Sequence, residues 1–282
     1  AYAERFGVYD YMGQFLANAL GSEETTLYKM VTAYAMFANG GERLQPTLVD
    51  RVQDRYGKTI YRHDQRVCSD CSDPDIRSGL GPRIVSNRDQ IMNAVTAYQL
   101  TSMMTGVVER GTASGYVKLG VPVAGKTGTT NDARDVWFIG FTSNIVAGCY
   151  IGFDRPRPMG RSAFGGAMCG PVFQEFMTEA TAKYGGGQFA IPPGGTFIKI
   201  DRFTGARLPN EASGPNVVAE YFRDGEEPIF GLTFDGGFAM GSNLPLFEEV
   251  IESGRQVTTS SSETAVVGPK ADFGTVSSGG LY

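Results

Sequence analysis

The sequence predicts an α+β fold, with helices packed on an antiparallel sheet, and three observations predict it. Apolar residues recur at helical spacing in three separate stretches. Between the second and third, residues 135–141 and 145–152 form two nearly continuous apolar runs around a turn at Ser143-Asn144, the pattern of a hairpin buried on both faces. A shorter β-like run at 123–129 precedes them. The centre of the chain therefore reads helix, three adjacent antiparallel strands, helix.

Each element has its own local signals. Ser22-Glu23-Glu24 reads as an N-cap with two acids in the first turn. The first helix then carries Leu27, Met30, Val31, Tyr34, Phe37 and Ala38 at helical spacing, and Asn39-Gly40-Gly41 ends it. A hairpin signal follows, with strands at 47–49 and 59–61 around a turn at 54–57. Residues 63–90 are polar, contain Pro74 and Pro82, and read as a surface loop. The second helix is expected over 89–110, with Val95, Tyr98, Met104 and Val108 among its apolar positions and Gly111 as its stop. Pro171 is expected to open the third helix at its favoured first position, with Phe173, Phe176, Met177 and Ala180 on one face and Gly185-Gly186-Gly187 at its end. Short strands and turns fill 191–245, one of them at 196–201 before a turn at Thr204-Gly205. From about 248 onward Ser, Thr, Gly and Val dominate without period.

Composition removes several function classes. The 282 residues hold 25 Lys and Arg against 30 Asp and Glu, a net charge of −5, which leaves no cationic surplus for nucleic acid. No apolar run approaches the ~18 residues of a membrane-spanning helix. A single histidine, His63, leaves little room for histidine catalysis or a histidine-rich metal site. Of the four cysteines, Cys68 and Cys71 have metal-like spacing, which fits a loop-clamping disulfide, free thiols or half a metal site. Cys149 and Cys169 sit in apolar surroundings and read as buried free thiols.

The stretch from Gly120 to Thr127 matches the phosphate-loop pattern G-x-x-x-x-G-K-[ST]. That loop must lead from a strand into a helix, whereas Thr127-Gly128-Thr129-Thr130-Asn131-Asp132 are poor helix formers that run into a strand. The other reading takes Lys126-Thr127-Gly128 as a K-T-G triad on an edge strand. Gly128 would let a substrate peptide lie against the backbone, and Lys126 would place a cation beside a substrate carboxylate and the catalytic hydroxyls. The hydroxyls of Thr127 and Thr129 could bond that carboxylate, and the Thr129 amide could point into an oxyanion hole. A surface lysine in a turn is the plain alternative.

Gly125-Lys126-Thr127-Gly128-Thr129-Thr130-Asn131-Asp132, followed by Asp135-Val136-Trp137-Phe138-Ile139-Gly140-Phe141, closely resembles the class A penicillin-binding proteins. The likeness extends over about residues 3–185, including Thr101–Ala113 ahead of the triad and Gly165-Gly166 to Pro171 behind it. The resemblance implies the C-terminal part of a β-lactamase-like serine transpeptidase domain at 1–190, a C-terminal extension at 191–247 and a disordered tail at 248–282. It implies a D,D-transpeptidase that crosslinks peptidoglycan stem peptides and reacts with β-lactams, with Lys126 catalytic and Thr127, Gly128 and Thr129 binding substrate. No cofactor or metal is expected, and the implied place is the periplasmic face of the inner membrane, with any anchor outside this chain.

Two family motifs are missing. No S-x-x-K and no S-x-N or S-D-N occurs in the 282 residues; the nearest imitation is Thr26-Leu27-Tyr28-Lys29. The chain begins at Ala1 without Met, so the expectation is a fragment whose N-terminal partner segment carries the nucleophile, and which is inactive alone. A non-catalytic scaffold of the same fold is the alternative.

Overall fold

The computed structural model describes residues 2–68 and 84–228, and the backbone of 255–258 and 264–267. Its two units are Ala1–Asp235 and Gly236–Tyr282. In chain order the first contains α1 (Tyr2–Arg5), α2 (Leu27–Ala38), β1 (Arg51–Gln53), β2 (Thr59–Arg62), β3 (Val67–Cys68), β4 (Ile84–Val85), α3 (Ala94–Arg110), β5 (Ala124–Thr129), β6 (Asp135–Phe141), β7 (Val146–Gly152), α4 (Gly165–Tyr184), β8 (Gly195–Asp201) and β9 (Val217–Arg223).

The central sheet has the order β5-β6-β7, antiparallel throughout. Strand alternation turns Val136 and Phe138 to one face, where they meet Cys169, Phe173 and Met177 of α4. Phe138 and Phe173 are buried and meet edge to face, with centroids 4.8 Å apart. Burying each such ring contributes about 1.5–3 kcal/mol. Phe141 turns to the other face, against Tyr34 and Phe37 of α2 and Leu100 and Met104 of α3. The α+β arrangement is therefore as the sequence predicts.

The boundaries differ in instructive places. Ser22 does not cap α2. The N-cap is Thr26, whose hydroxyl accepts from the Lys29 N–H at 3.2 Å. Ser22 instead bonds Asn18, and Glu23 accepts from Gly13 and Asn18. The expected strand at 47–49 lies at Arg51–Gln53, while the turn is where expected, with Asp54 accepting from the N–H groups of Tyr56 and Lys58. Helix α3 starts at Ala94 rather than 89, because Asn93 caps Val95 and the N–H groups of Ile91 and Met92 go to the Gly41 carbonyl. Within the loop at 63–90, β3 pairs with β4; Cys71 lies outside the described residues, and Cys68 is disulfide-bonded.

Helix α4 begins at Gly165, so Pro171 stands inside it rather than at its start. A proline there removes one helical hydrogen bond. Two residues before Pro171, Cys169 is joined to Cys149 of β7 by a disulfide, with Cα atoms 5.5 Å apart. The expectation of two free thiols is thus corrected; the apolar surroundings that bury them also bring them together.

The segment from 191 packs on α3. β8 pairs with β9, and β9 lies against that helix. Tyr98 packs edge to face on Phe197 and Tyr221, Gln99 donates to the Tyr221 carbonyl, and Ser102 donates to Glu220 at 2.7 Å. In the second unit, Arg255–Thr258 (β10) pairs antiparallel with Thr264–Val267 (β11), so the stretch expected as a disordered tail contains a short ladder. Its Val and Thr residues favour strands whatever their periodicity. Among the described residues no helix is long and apolar enough to cross a membrane.

Candidate active-site wall

The K-T-G residues lie within β5, which forms an outer strand of the central sheet among the described residues. Lys126 stands opposite Ile139, Thr127 opposite Phe138, Gly128 opposite Trp137 and Thr129 opposite Val136. No helix starts at Lys126 or Thr127, and the strand runs on to Thr129, so the phosphate-loop reading is overturned. A one-turn 3₁₀ segment at Asn131–Ala133 then reverses the chain, with Asp132 at φ 59° and Ala133 at φ 49°.

The pairing fixes which backbone groups face outward. The Thr130 N–H donates to the Asp135 carbonyl at 3.0 Å, continuing the ladder beyond the strand end. In an antiparallel ladder alternate residues share this role, so Lys126 and Gly128 direct their N–H and C=O groups to β6. Thr127 and Thr129 turn theirs to the open edge. The Thr129 N–H, the donor expected from the sequence, therefore faces the open edge.

Side chains divide by face. Lys126 is exposed in this chain, and its Nζ donates to the Thr127 carbonyl at 2.8 Å. That bond draws the ammonium to the open edge. Thr127 and Thr129 point to the α4 side. The Thr127 hydroxyl lies 2.6 Å from that of Thr112, and the Thr129 hydroxyl accepts from the Gly165 N–H at 3.1 Å. The ammonium of Lys126 and the hydroxyl of Thr127 thus reach the same stretch of edge from opposite faces. Gly128 is half-buried, with Trp137 beneath it: a Cβ there would stand 3.2 Å from the Trp137 Cβ.

The first turn of α4 approaches β5 and β6 more closely than any side chain permits. A Cβ on Gly165 would lie 2.2 Å from the Trp137 carbonyl oxygen, and one on Gly166 would lie 2.4 Å from the Thr112 carbonyl oxygen. Trp137 itself is half-buried and packs on Tyr150 at 4.7 Å. The Tyr150 hydroxyl donates to Asp135, which raises its pKa from the ordinary phenol value. Asp135 therefore braces Tyr150, while Arg134 pairs with Asp132 at 3.3 Å.

Residues 4–178 match the family model for the penicillin binding protein transpeptidase domain. The chain belongs to that family. It is 43% identical over 209 residues to penicillin-binding protein 1A of Rickettsia bellii (strain RML369-C), an overlap covering 73% of this chain and 26% of that protein. Against penicillin-binding protein 1A of Neisseria gonorrhoeae it is 37% identical over 224 residues, covering 76% and 26%. The chain thus spans 26% of the length of these curated relatives. A solved structure of penicillin-binding protein 1A from Haemophilus influenzae superposes with a TM-score of 0.62 at 26% identity, covering 81% of this chain and 36% of that one.

Within this transpeptidase domain, two features of the wall were missed in the sequence. Thr112 gives no signal of contact with Thr127, since the two stand 15 positions apart and are joined by turns and loop. The Gly165-Gly166 pair could have been read as a close approach of backbones, because glycine is costly inside a helix unless space demands it.

Proposed function

We propose that this chain is the carboxylate- and oxyanion-binding wall of a D,D-transpeptidase that crosslinks peptidoglycan stem peptides. The observation carrying this reading is the convergence of the Lys126 ammonium, the Thr127 hydroxyl and the outward Thr129 amide on one open strand edge. A peptide lying along that edge meets backbone donors and acceptors in register, and its terminal carboxylate meets a cation and a hydroxyl. In the reaction, a serine outside this chain attacks the penultimate D-Ala carbonyl, the Thr129 amide stabilises the oxyanion, and the terminal D-Ala leaves. An amine from a second stem peptide then takes the acyl group. β-Lactams acylate the same serine. The Cys149–Cys169 disulfide supports a place in an oxidising compartment, the extracytoplasmic face of the inner membrane.

The test uses the full-length protein that carries this chain and fluorescent penicillin. Lys126→Ala should slow acylation by about one to two orders of magnitude, since a hydrogen bond to a charged group contributes about 1.5–3 kcal/mol. Thr129→Ala should cost less, because its amide survives. Unchanged acylation in Lys126→Ala would overturn the assignment. The absence of S-x-x-K from the 282 residues favours a second reading, a non-catalytic scaffold. Its signature is a full-length protein that takes up no penicillin at all by intact mass.

A further inference from the structure

We infer that Thr112 is a positioning residue for this wall: its hydroxyl donates to Thr127 and so leaves the Thr127 O–H to donate to the substrate carboxylate. The inference rests on the transpeptidase reading and adds to it a residue outside the K-T-G strand. The two hydroxyl oxygens are 2.6 Å apart, and either could be the donor. A hydroxyl has one proton, and a carboxylate only accepts. With an anion at the edge of β5, one arrangement satisfies all three groups: Thr112 donates to Thr127, and Thr127 donates to the carboxylate. Successive donation in one direction also polarises each bond, which strengthens the outer one.

The backbone of Thr112 is held as such a role requires. Just after α3, the Ala113 N–H donates to the Val107 carbonyl at 3.1 Å and the Ser114 hydroxyl to the Glu109 carbonyl at 3.0 Å. Ala113 is fully buried. On its other side Thr112 abuts α4, where Gly166 leaves room for its carbonyl. The Thr112 backbone is thereby held between two helices, while Thr127 sits on the edge strand.

A purely structural Thr112–Thr127 tie would make different predictions, and the ligand's charge separates the two. Acylation of the full-length protein is measured with a penicillin and with its uncharged carboxamide analogue. Thr112→Val should slow acylation by the penicillin about tenfold, while Thr112→Ser restores most of the rate. With the carboxamide, whose oxygen still accepts from Thr127 but carries no charge, Thr112→Val should lose clearly less than it does with the penicillin. In a Thr127→Ala background, Thr112→Val should have no further effect. An equal loss on both ligands, or no loss on either, would overturn the inference. So would failure of Thr112→Ser to restore the rate in a protein whose melting temperature matches the parent. If Lys126→Ala abolishes acylation and Thr112→Val leaves it intact, the wall stands and this role falls. If Lys126→Ala leaves acylation intact, the wall reading falls and this role falls with it.

Discussion

Tyr34 shows how one side chain couples packing to pH. It sits in the layer between α2 and Phe141, 5.6 Å from the Phe37 ring, and burial pushes its phenol up to about 12. The neutral form is the one the fold accepts. Its folded value lies above the unfolded value of about 10, so its contribution is present in full below pH 10 and is lost as pH rises towards 12. Denaturant titrations from pH 9 to 11.5 should show the chain losing about 2 kcal/mol more than Tyr34→Phe over that range. Parallel losses in the two proteins would contradict the burial argument. Gly165 makes a steric counterpart. Alanine there would press its Cβ on the Trp137 carbonyl, a backbone atom that moves only with its strand. The expected cost is about 1–3 kcal/mol in stability, together with slower acylation in the full-length protein, because the Gly165 N–H would leave the Thr129 hydroxyl.

Helix α4 shows what an element takes from its neighbours. Its local signals place the start at Pro171, yet the helix holds two earlier turns through Gly165, Gly166 and the link from Cys169 to Cys149. The Cys169 sulfur also lies 3.6 Å from the Val136 carbonyl, in the buried layer. The disulfide spans 20 residues of chain, for which loop-closure entropy predicts about 3 kcal/mol of stabilisation. Cys149→Ala/Cys169→Ala should therefore unfold at lower denaturant by that amount and lose its sensitivity to reductant at this site. A double variant as stable as the parent would mean that packing alone holds the first turns of α4. The sequence made β6 legible to the residue, because its apolar run is continuous and its ends are marked by Asp135 and Ser143. It mislaid the starts of α3 and α4, where a loop contact at Gly41 and a cross-link, both distant in sequence, decide what periodicity cannot. The docking of β9 on α3 was hidden for the same reason: Tyr221 and Glu220 find Tyr98 and Ser102 across more than a hundred residues.

For the whole molecule, the K-T-G strand was legible in sequence because helix-poor residues flank Lys126 on both sides, and the ladder to β6 follows from that. The bond from the Lys126 Nζ to the Thr127 carbonyl was not legible, since it depends on how the side chain folds back over its own strand rather than on strand propensity. Acylation by a penicillin requires a serine whose proton a neighbouring base can take. No serine of the 282 residues has a lysine three positions on. Ser114, the serine nearest Thr112 in sequence, donates its hydroxyl to the Glu109 carbonyl. The sole histidine, His63, lies beside Tyr61 and the Gln45 carbonyl in the β1–β2 region. The proposed carboxylate-binding wall holds no activated nucleophile among its described residues. Incubated with fluorescent penicillin, the 282-residue chain should therefore give no boiling-resistant band on a gel and no mass increase by intact mass spectrometry. A stoichiometric adduct that survives denaturation would place a nucleophile within these residues, and mapping the labelled peptide would identify which serine had been activated without the lysine that the S-x-x-K pattern supplies.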